Sequence, residues 1–276
     1  MNFPMPYSRQ RKIKKMNEAE LVLTHLLNCD RLSLYLDKDS NLSLDKAQAV
    51  SSILKRRIKG EPVQYILGYT EFMGWKFKVD KRVLIPRPET EILVQSAIEE
   101  LKNLKNPHVL DIGTGSGCIA VALAKNIPSS QITALDISLK ALEVAEDNRD
   151  LNQIKREQIK FIHSDLFLNL GNQKFDLIIS NPPYVSIQEL RGLTNEISFE
   201  PSLALKAGLD GLDFYRRIVV QAANYLAAGG FLIFEVGRNQ ACKVRDLLKA
   251  EEKFDRIRII KDYNNIQRVI IAKKRI

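Results

Sequence analysis

The chain has 276 residues, 45% of them hydrophobic and 27% charged, the composition of an ordinary soluble globular protein with room for one large domain and a smaller one. No apolar run approaches the length that a bilayer-spanning helix needs. The basic cluster at Arg9, Arg11, Lys12, Lys14 and Lys15 has no apolar stretch behind it, which argues against a secretory signal. The net charge is +9, and residues 1–60 hold 12 Lys and Arg against 6 Asp and Glu. Such a basic N-terminal module suits nucleic acid or an acidic protein face, and equally a solvated helical surface.

In chain order, Asn17 is placed to cap a helix, with Glu20 three residues on completing a capping-box start and Leu21, Leu23, Leu26 and Leu27 forming an apolar stripe. A short segment over 32–36 and a third helix from Ser43 to near Gly60 complete a small bundle. His25, among these leucines, reads as structural rather than as a ligand. Cys29, Cys118 and Cys242 are widely spaced and odd in number, without metal-ligand spacing. They read as small buried hydrophobes in a reducing, cytoplasmic protein, and no metal is expected.

Residues 60–68, with Gly60, Pro62 and Gly68, read as a linker. Trp75-Lys76-Phe77-Lys78-Val79 alternates apolar and polar residues, Asp80-Lys81 turns, and Val83-Leu84-Ile85 returns, the pattern of a β-hairpin. Pro86-Arg87-Pro88-Glu89-Thr90-Glu91 then stops the strand and opens a helix with acidic residues in its first turn. The domain division that follows is a basic extension over 1–16, a helical domain over 17–71, a linking hairpin over 72–90 and an α/β domain over 91–276.

From residue 108 onward the pattern is βαβ, repeated. Strands are predicted at 108–112, 131–136, 160–163, 175–179 and 231–236, with helices from Cys118, over 139–152 and over 213–227, and a turn at Gly229-Gly230. Two more strands, around 256–260 and 268–272, finish the chain with no long helix between them. The fold class is α/β, a seven-stranded Rossmann-like sheet with a small N-terminal helical domain.

Two strand ends carry chemistry. After the first strand comes Gly113-Thr114-Gly115-Ser116-Gly117, a turn that lets a nucleoside approach the backbone, and Asp136 closes the next strand about 20 residues on, where it can accept from ribose hydroxyls, a pairing that equally marks a dinucleotide enzyme. Asp165, with Leu166 beside it, closes the third strand where an adenine amino group would fit. Asp111 is a candidate for the far end of such a cofactor, or for holding the turn itself. Ser180-Asn181-Pro182-Pro183-Tyr184 follows the fourth strand, because a Pro-Pro pair can neither continue a ladder nor enter a helix. The Asn181 side-chain oxygen and the Pro182 carbonyl are two acceptors held close together, suited to a planar group that carries an NH2.

Asn-Pro-Pro-Tyr in this position resembles the motif of S-adenosylmethionine-dependent methyltransferases that act on planar amide or amino nitrogens. Gly60-Glu61-Pro62-Val63-Gln64-Tyr65-Ile66-Leu67-Gly68, Glu71-Phe72-Met73-Gly74, Leu84-Ile85-Pro86-Arg87-Pro88-Glu89-Thr90-Glu91 and Asp210-Gly211-Leu212-Asp213-Phe214-Tyr215 narrow this. From about residue 18 to the end the chain resembles the HemK/PrmC family, the release factor glutamine methyltransferases. The resemblance implies a class I methyltransferase domain and N5-methylation of the Gly-Gly-Gln glutamine of class-1 peptide-chain release factors, with S-adenosyl-L-methionine as cofactor. It implies that Gly113, Thr114, Gly115, Ser116, Gly117, Asp136, Asp165, Leu166 and Asn181 contact cofactor. Asn181, Pro182, Pro183 and Tyr184 would hold the glutamine, with Asn181, Pro182 and Tyr184 as the catalytic set and Arg87 and Glu89 near the same pocket. Release factors are the expected partners, without a membrane or a nucleic-acid substrate, and a monomer is expected. The alternatives are an N6-adenine or N4-cytosine nucleic-acid methyltransferase and a non-catalytic basic adaptor that keeps the fold.

Overall fold

Asn17 opens the first helix as its sequence predicts. Its Oδ1 accepts from the Glu20 amide at 2.9 Å, and the Glu20 carboxylate accepts from the Asn17 amide at 2.8 Å, closing the capping box of α1 (Glu18–Leu27). The computed structural model describes residues 16–36, 42–190, 192 and 195–276, so the basic cluster at Arg9, Arg11, Lys12, Lys14 and Lys15 lies outside the described residues. The chain divides into two compact units between Leu67 and Gly68.

In the first unit, α2 (Arg31–Leu36) turns Arg31 and Tyr35 onto the Glu20 carboxylate, at 2.8 and 2.6 Å. The Tyr35 hydrogen bond leads the interactions that lower the Glu20 carboxyl to about 2. Arg57, on α3 (Leu44–Ile58), pairs with Glu18 at 2.8 Å. The expected linker at 60–68 holds a fourth helix, α4 (Val63–Leu67), since the Pro62 carbonyl accepts from the Tyr65 and Ile66 amides and a proline at a helix start loses no bond. His25 is exposed rather than packed among the leucines. Of the three cysteines, Cys118 alone is buried; Cys29 is partly exposed and Cys242 exposed.

The second unit opens on a hairpin placed earlier than the alternation predicts. β1 (Tyr69–Phe72) pairs with β2 (Trp75–Lys78) across Met73-Gly74, whose φ of 52° and 86° supply the two left-handed positions of a tight two-residue turn. Residues 83–85 form no returning strand. The Asp80 carboxylate takes the Arg82 amide at 2.9 Å and its guanidinium at 2.8 Å, which folds the chain locally, and Val83 and Ile85 are buried as apolar plugs. Pro88 then starts α5 (Pro88–Leu101), and Glu91 in its first turn accepts from the Met73 amide at 2.8 Å, tying helix to hairpin tip.

The remaining elements are β3 (His108–Ile112), α6 (Cys118–Asn126), β4 (Gln131–Asp136), α7 (Leu139–Leu151), β5 (Ile159–His163), β6 (Phe175–Ser180), α8 (Ile187–Leu190), α9 (Asp213–Tyr225), β7 (Leu226–Glu235), α10 (Ala241–Ala250), β8 (Phe254–Lys261) and β9 (Gln267–Lys274). They build one seven-stranded sheet in the order β5-β4-β3-β6-β7-β9-β8. The first five of these strands run parallel, and β9 is antiparallel to both β7 and β8. Gly229-Gly230 lies inside β7 rather than in a turn. The β6–β7 register shifts between Phe175 and Leu177, and Gly230 passes so close to β6 that a Cβ there would sit 3.0 Å from the Asp176 carbonyl. α10 is an element the strand pattern did not announce; it buries Ala241, Val244 and Leu248 on one face.

Alternation along β6 sorts the core. Leu177 and Ile179 face α5 and α6, while Ile178 faces Tyr215 and Ile218 of α9. The hairpin's Phe72 and Phe77 join the first of these layers. Among the described residues, no helix is long and apolar enough to cross a membrane.

Candidate active site

Strand order reverses between β3 and β6, and ligands of open α/β sheets bind at the carboxyl ends of the strands beside such a reversal. The glycine turn leaves β3 there. Gly113, Gly115 and Gly117 have φ of 74°, 54° and 77°, values that side-chain-bearing residues adopt only at a cost. The turn is sewn to the end of β4: the Gly113 and Thr114 amides each donate to the Leu135 carbonyl at 2.8 Å, and the Gly115 amide donates to Asp136 Oδ2 at 2.8 Å. A Cβ on Gly113 or Gly115 would meet nothing within 4 Å, so open space lies over the turn. On Gly117 it would sit 3.0 Å from Ala145 Cβ, so this glycine lets α6 and α7 approach. Asn148, fully buried on α7, donates to the Ser116 carbonyl at 2.9 Å and to the Lys78 carbonyl at 3.0 Å, linking turn and hairpin.

A cavity opens over this edge, lined among others by Gly113, Gly115, Asp136, Asp165, Leu166, Asn181, Pro182 and Pro183, so eight of the sequence-predicted residues share one space. Thr114 and Ser116 turn their side chains into the protein, and neither they, Gly117 nor Tyr184 lines the cavity. Asp136 spends Oδ2 on Gly115 and Oδ1 on the Ser138 amide at 2.9 Å; burial raises its carboxyl above the usual range against these donors. Asp165 is held by Arg217, whose Nη2 reaches its two oxygens at 2.8 and 2.7 Å. Asp111 is fully buried, accepts from the Thr114 hydroxyl at 2.6 Å through Oδ2, and leaves Oδ1 without a hydrogen-bond partner. Burial pushes its carboxyl up to about 7.

Asn181 follows β6, whose last residue anchors the strand end through the Ser180 hydroxyl on the Ile112 carbonyl at 2.7 Å. The Asn181 Nδ2 donates to Thr90 Oγ1 at 3.3 Å, and Thr90 Oγ1 donates to Glu235 Oε2 at 2.6 Å. Glu235 is buried, and desolvation pushes its carboxyl up to about 7. The Tyr184 ring packs on the α9 and α10 side of the sheet, and burial moves its hydroxyl up to about 12. The Tyr184 carbonyl accepts from Gln240 Nε2 at 2.8 Å, and Gly211 approaches so closely that a Cβ there would lie 2.4 Å from that oxygen. Arg87 and Glu89 do not line the cavity; Arg87 pairs with Glu200 at 2.7 Å, and Glu200 is buried with Oε2 unpaired. Sequence reading passed over Thr90, Glu235, Arg217 and Gln240. The signal for Glu235 was a lone carboxylate ending the apolar run Phe231-Leu232-Ile233-Phe234.

A parallel sheet extended by an inserted antiparallel strand, a glycine turn after its first strand, an acid closing the second and Asn-Pro-Pro-Tyr after the fourth define a class I S-adenosylmethionine-dependent methyltransferase. Residues 89–208 match the methyltransferase small domain and residues 14–68 the PrmC N-terminal domain. The release factor glutamine methyltransferase of Chlorobaculum tepidum is 41% identical over 269 residues, covering 92% of this chain and 90% of the relative. That of Thermodesulfovibrio yellowstonii is 40% identical over 262 residues, covering 94% and 92%. The chain belongs to the release factor glutamine methyltransferase family. A methyltransferase of Pyrococcus furiosus, 16% identical, shares the fold with a TM-score of 0.52 over 83% of this chain and 99% of that one.

Proposed function

We propose that this chain transfers a methyl group from S-adenosylmethionine to the side-chain amide nitrogen of the glutamine in the Gly-Gly-Gln segment of class-1 peptide-chain release factors, as a cytoplasmic monomer. The observation that carries this reading is Asn181. Its NH2 is held by Thr90 while the residue lines the cavity, which leaves its Oδ1 and the Pro182 carbonyl as two acceptors for an incoming NH2.

The residues present fit the cofactor. The space over Gly113 and Gly115 accepts a group against the backbone, with Thr114, Ser116 and Gly117 shaping the turn from behind. Asp136 keeps lone pairs for ribose hydroxyls beyond the amides it already accepts, and Asp165, steadied by Arg217, does the same for an adenine amino group beside Leu166. The unpaired, buried Asp111 Oδ1 is the acceptor for an ammonium at the methionine end. When bound, the cofactor supplies a methyl already activated as a sulfonium.

The protein's task is then orientation. An amide nitrogen is a poor nucleophile because its lone pair is delocalised into the carbonyl. Accepting both N–H groups, at Asn181 Oδ1 and the Pro182 carbonyl, turns the nitrogen toward the methyl and favours electron density on it. Fixing that geometry is the acceleration that side chains alone can give here. The nitrogen sheds a proton after the new bond forms, so no strong base is required. Pro183 keeps the segment rigid, and Tyr184, packed behind the cavity, holds the motif in place through its ring and the Gln240 bond.

The test is transfer of a labelled methyl group to a purified class-1 release factor, beside a factor whose Gly-Gly-Gln glutamine is replaced by alanine and beside duplex DNA and RNA. Label on the wild-type factor alone is expected; label on nucleic acid would overturn the acceptor. Asn181→Ala is expected to lower kcat at least about 100-fold, while cofactor affinity changes about tenfold or less. Near-normal turnover in that variant would remove Asn181 from the chemistry.

A further inference from the structure

Thr90 belongs to the Pro-Glu-Thr-Glu stretch that opens α5, yet the chemistry above gives it no contact with either reactant. Its hydroxyl lies between two groups brought from distant elements, Asn181 after β6 and Glu235 at the end of β7. β6 and β7 run parallel with Ser180 opposite Phe234, so Asn181 and Glu235 are the next pair in register, and the first turn of α5 sets Thr90 against both. Thr90 and Glu235 are each 2% exposed.

The two ends of an asparagine amide are nearly equal in shape, and neighbours decide which atom points where. A threonine hydroxyl has one proton. With Glu235 ionised it goes to Glu235 Oε2 at 2.6 Å, so toward Asn181 the hydroxyl then accepts, and the same carboxylate takes a hydrogen bond from the Asn181 side chain. The atom of Asn181 facing Thr90 must therefore be the NH2, as found at 3.3 Å. The carbonyl oxygen is on the other side of Cγ, toward the cavity. An inverted amide would set its oxygen against a hydroxyl lone pair and offer the acceptor a donor in place of an acceptor.

We propose that Thr90 and Glu235 are positioning residues that fix the Asn181 amide with its oxygen turned to the methyl acceptor. Glu235 orders the hydroxyl and also accepts from the Asn181 side chain, the hydroxyl takes the Asn181 NH2 as well, and the amide so fixed reads the substrate's NH2. The inference rests on the role given to Asn181 above. It predicts that a hydroxyl at residue 90, rather than its bulk, controls turnover.

The experiment compares Thr90→Val, which keeps shape and removes the hydroxyl, with Thr90→Ser, which keeps the hydroxyl, and with Asn181→Ala, all in the full chain with a release factor as acceptor. Thr90→Val is expected to lower kcat about tenfold, the worth of one oriented hydrogen bond, with cofactor Kd unchanged. Thr90→Ser is expected to restore most of that loss. Where Thr90→Val does not fold, Thr90→Ala takes its place. A second readout is the side-chain NH2 resonances of Asn181, expected to be shared in position by wild type and Thr90→Ser and displaced in Thr90→Val. Full turnover in Thr90→Val beside an inactive Asn181→Ala would overturn the positioning role alone. Equal loss in Thr90→Ser and Thr90→Val would also overturn it, because shape would then be the cause. Full turnover in Asn181→Ala would sink the role of Asn181 and this inference with it.

Discussion

Asp111, buried in β3 one residue before its end, has one oxygen bonded to Thr114 and the other unpaired. Desolvation pushes its carboxyl up to about 7, against about 3.9 in an unfolded chain. A folded-state pKa above the unfolded one means that the native protein holds the extra proton between those values. The stabilisation is complete below the lower value and is lost as pH rises through about 7. Between pH 6 and pH 8 such a group costs about 1.4 kcal/mol. Asp111→Asn removes this dependence, so in the cofactor-free protein the fall in Tm from pH 6 to pH 8 is expected to be about 3 °C smaller in the variant than in wild type. An equal fall in both proteins would show that Asp111 is ionised throughout. Cys118 tells the same story of burial, its thiol moved up to about 12, so it is an inert packing group near the turn.

Among the elements, the glycine turn separates stability from binding. Gly117→Ala places a Cβ 3.0 Å from Ala145 Cβ at a φ of 77°, and the overpacking and strain together are expected to cost about 1–3 kcal/mol. Gly115→Ala meets no atom within 4 Å, so its cost is confined to the strained φ, but its methyl enters the cavity. The expected result is a crossed pattern: thermal denaturation shows the larger loss for Gly117→Ala, and calorimetric titration with cofactor shows it for Gly115→Ala. The same loss of stability in both would mean that α6 and α7 can part without cost. Most elements were legible at this scale because their signals are local. Asn17 and Glu20 announce a capped helix, and apolar runs ending in Asp136 or Asn181 announce buried strands. The hairpin register was misread because Met73, unlike asparagine or glycine, does not advertise a positive φ, whereas Asp80-Lys81 looks like a turn. Gly229-Gly230 looks like a break yet continues β7, because what it serves is a close approach to β6 that only the assembled sheet contains.

For the whole molecule, the sheet order brings to one edge what the sequence spreads over more than a hundred residues. Gly113, Asp136, Asp165 and Asn181 were readable in advance because each closes its own strand and so carries its address with it. Thr90 and Glu235 were not, being 145 residues apart and joined only by the stacking of α5 on the sheet. A cofactor held at this edge stabilises the folded state by mass action, about 2.7 kcal/mol at a concentration 100 times its Kd. The expected observation is a Tm that climbs with S-adenosylmethionine, together with slowed amide exchange at residues 113–117. A Tm indifferent to the cofactor would mean that the folded chain does not bind it, and a climbing Tm with unchanged exchange at residues 113–117 would place its site elsewhere.

Glu91 and Thr90 are adjacent in the first turn of α5, one gripping the Met73 amide at the hairpin tip and the other gripping the Asn181 amide. A tug on the hairpin therefore arrives, one residue later, at the atom that aims the acceptor. Damage at Met73 or Gly74, one a buried core residue and the other at a φ of 86°, should then register as sluggish catalysis beyond what the lowered melting curve accounts for, making turnover a second strain gauge for this corner of the molecule.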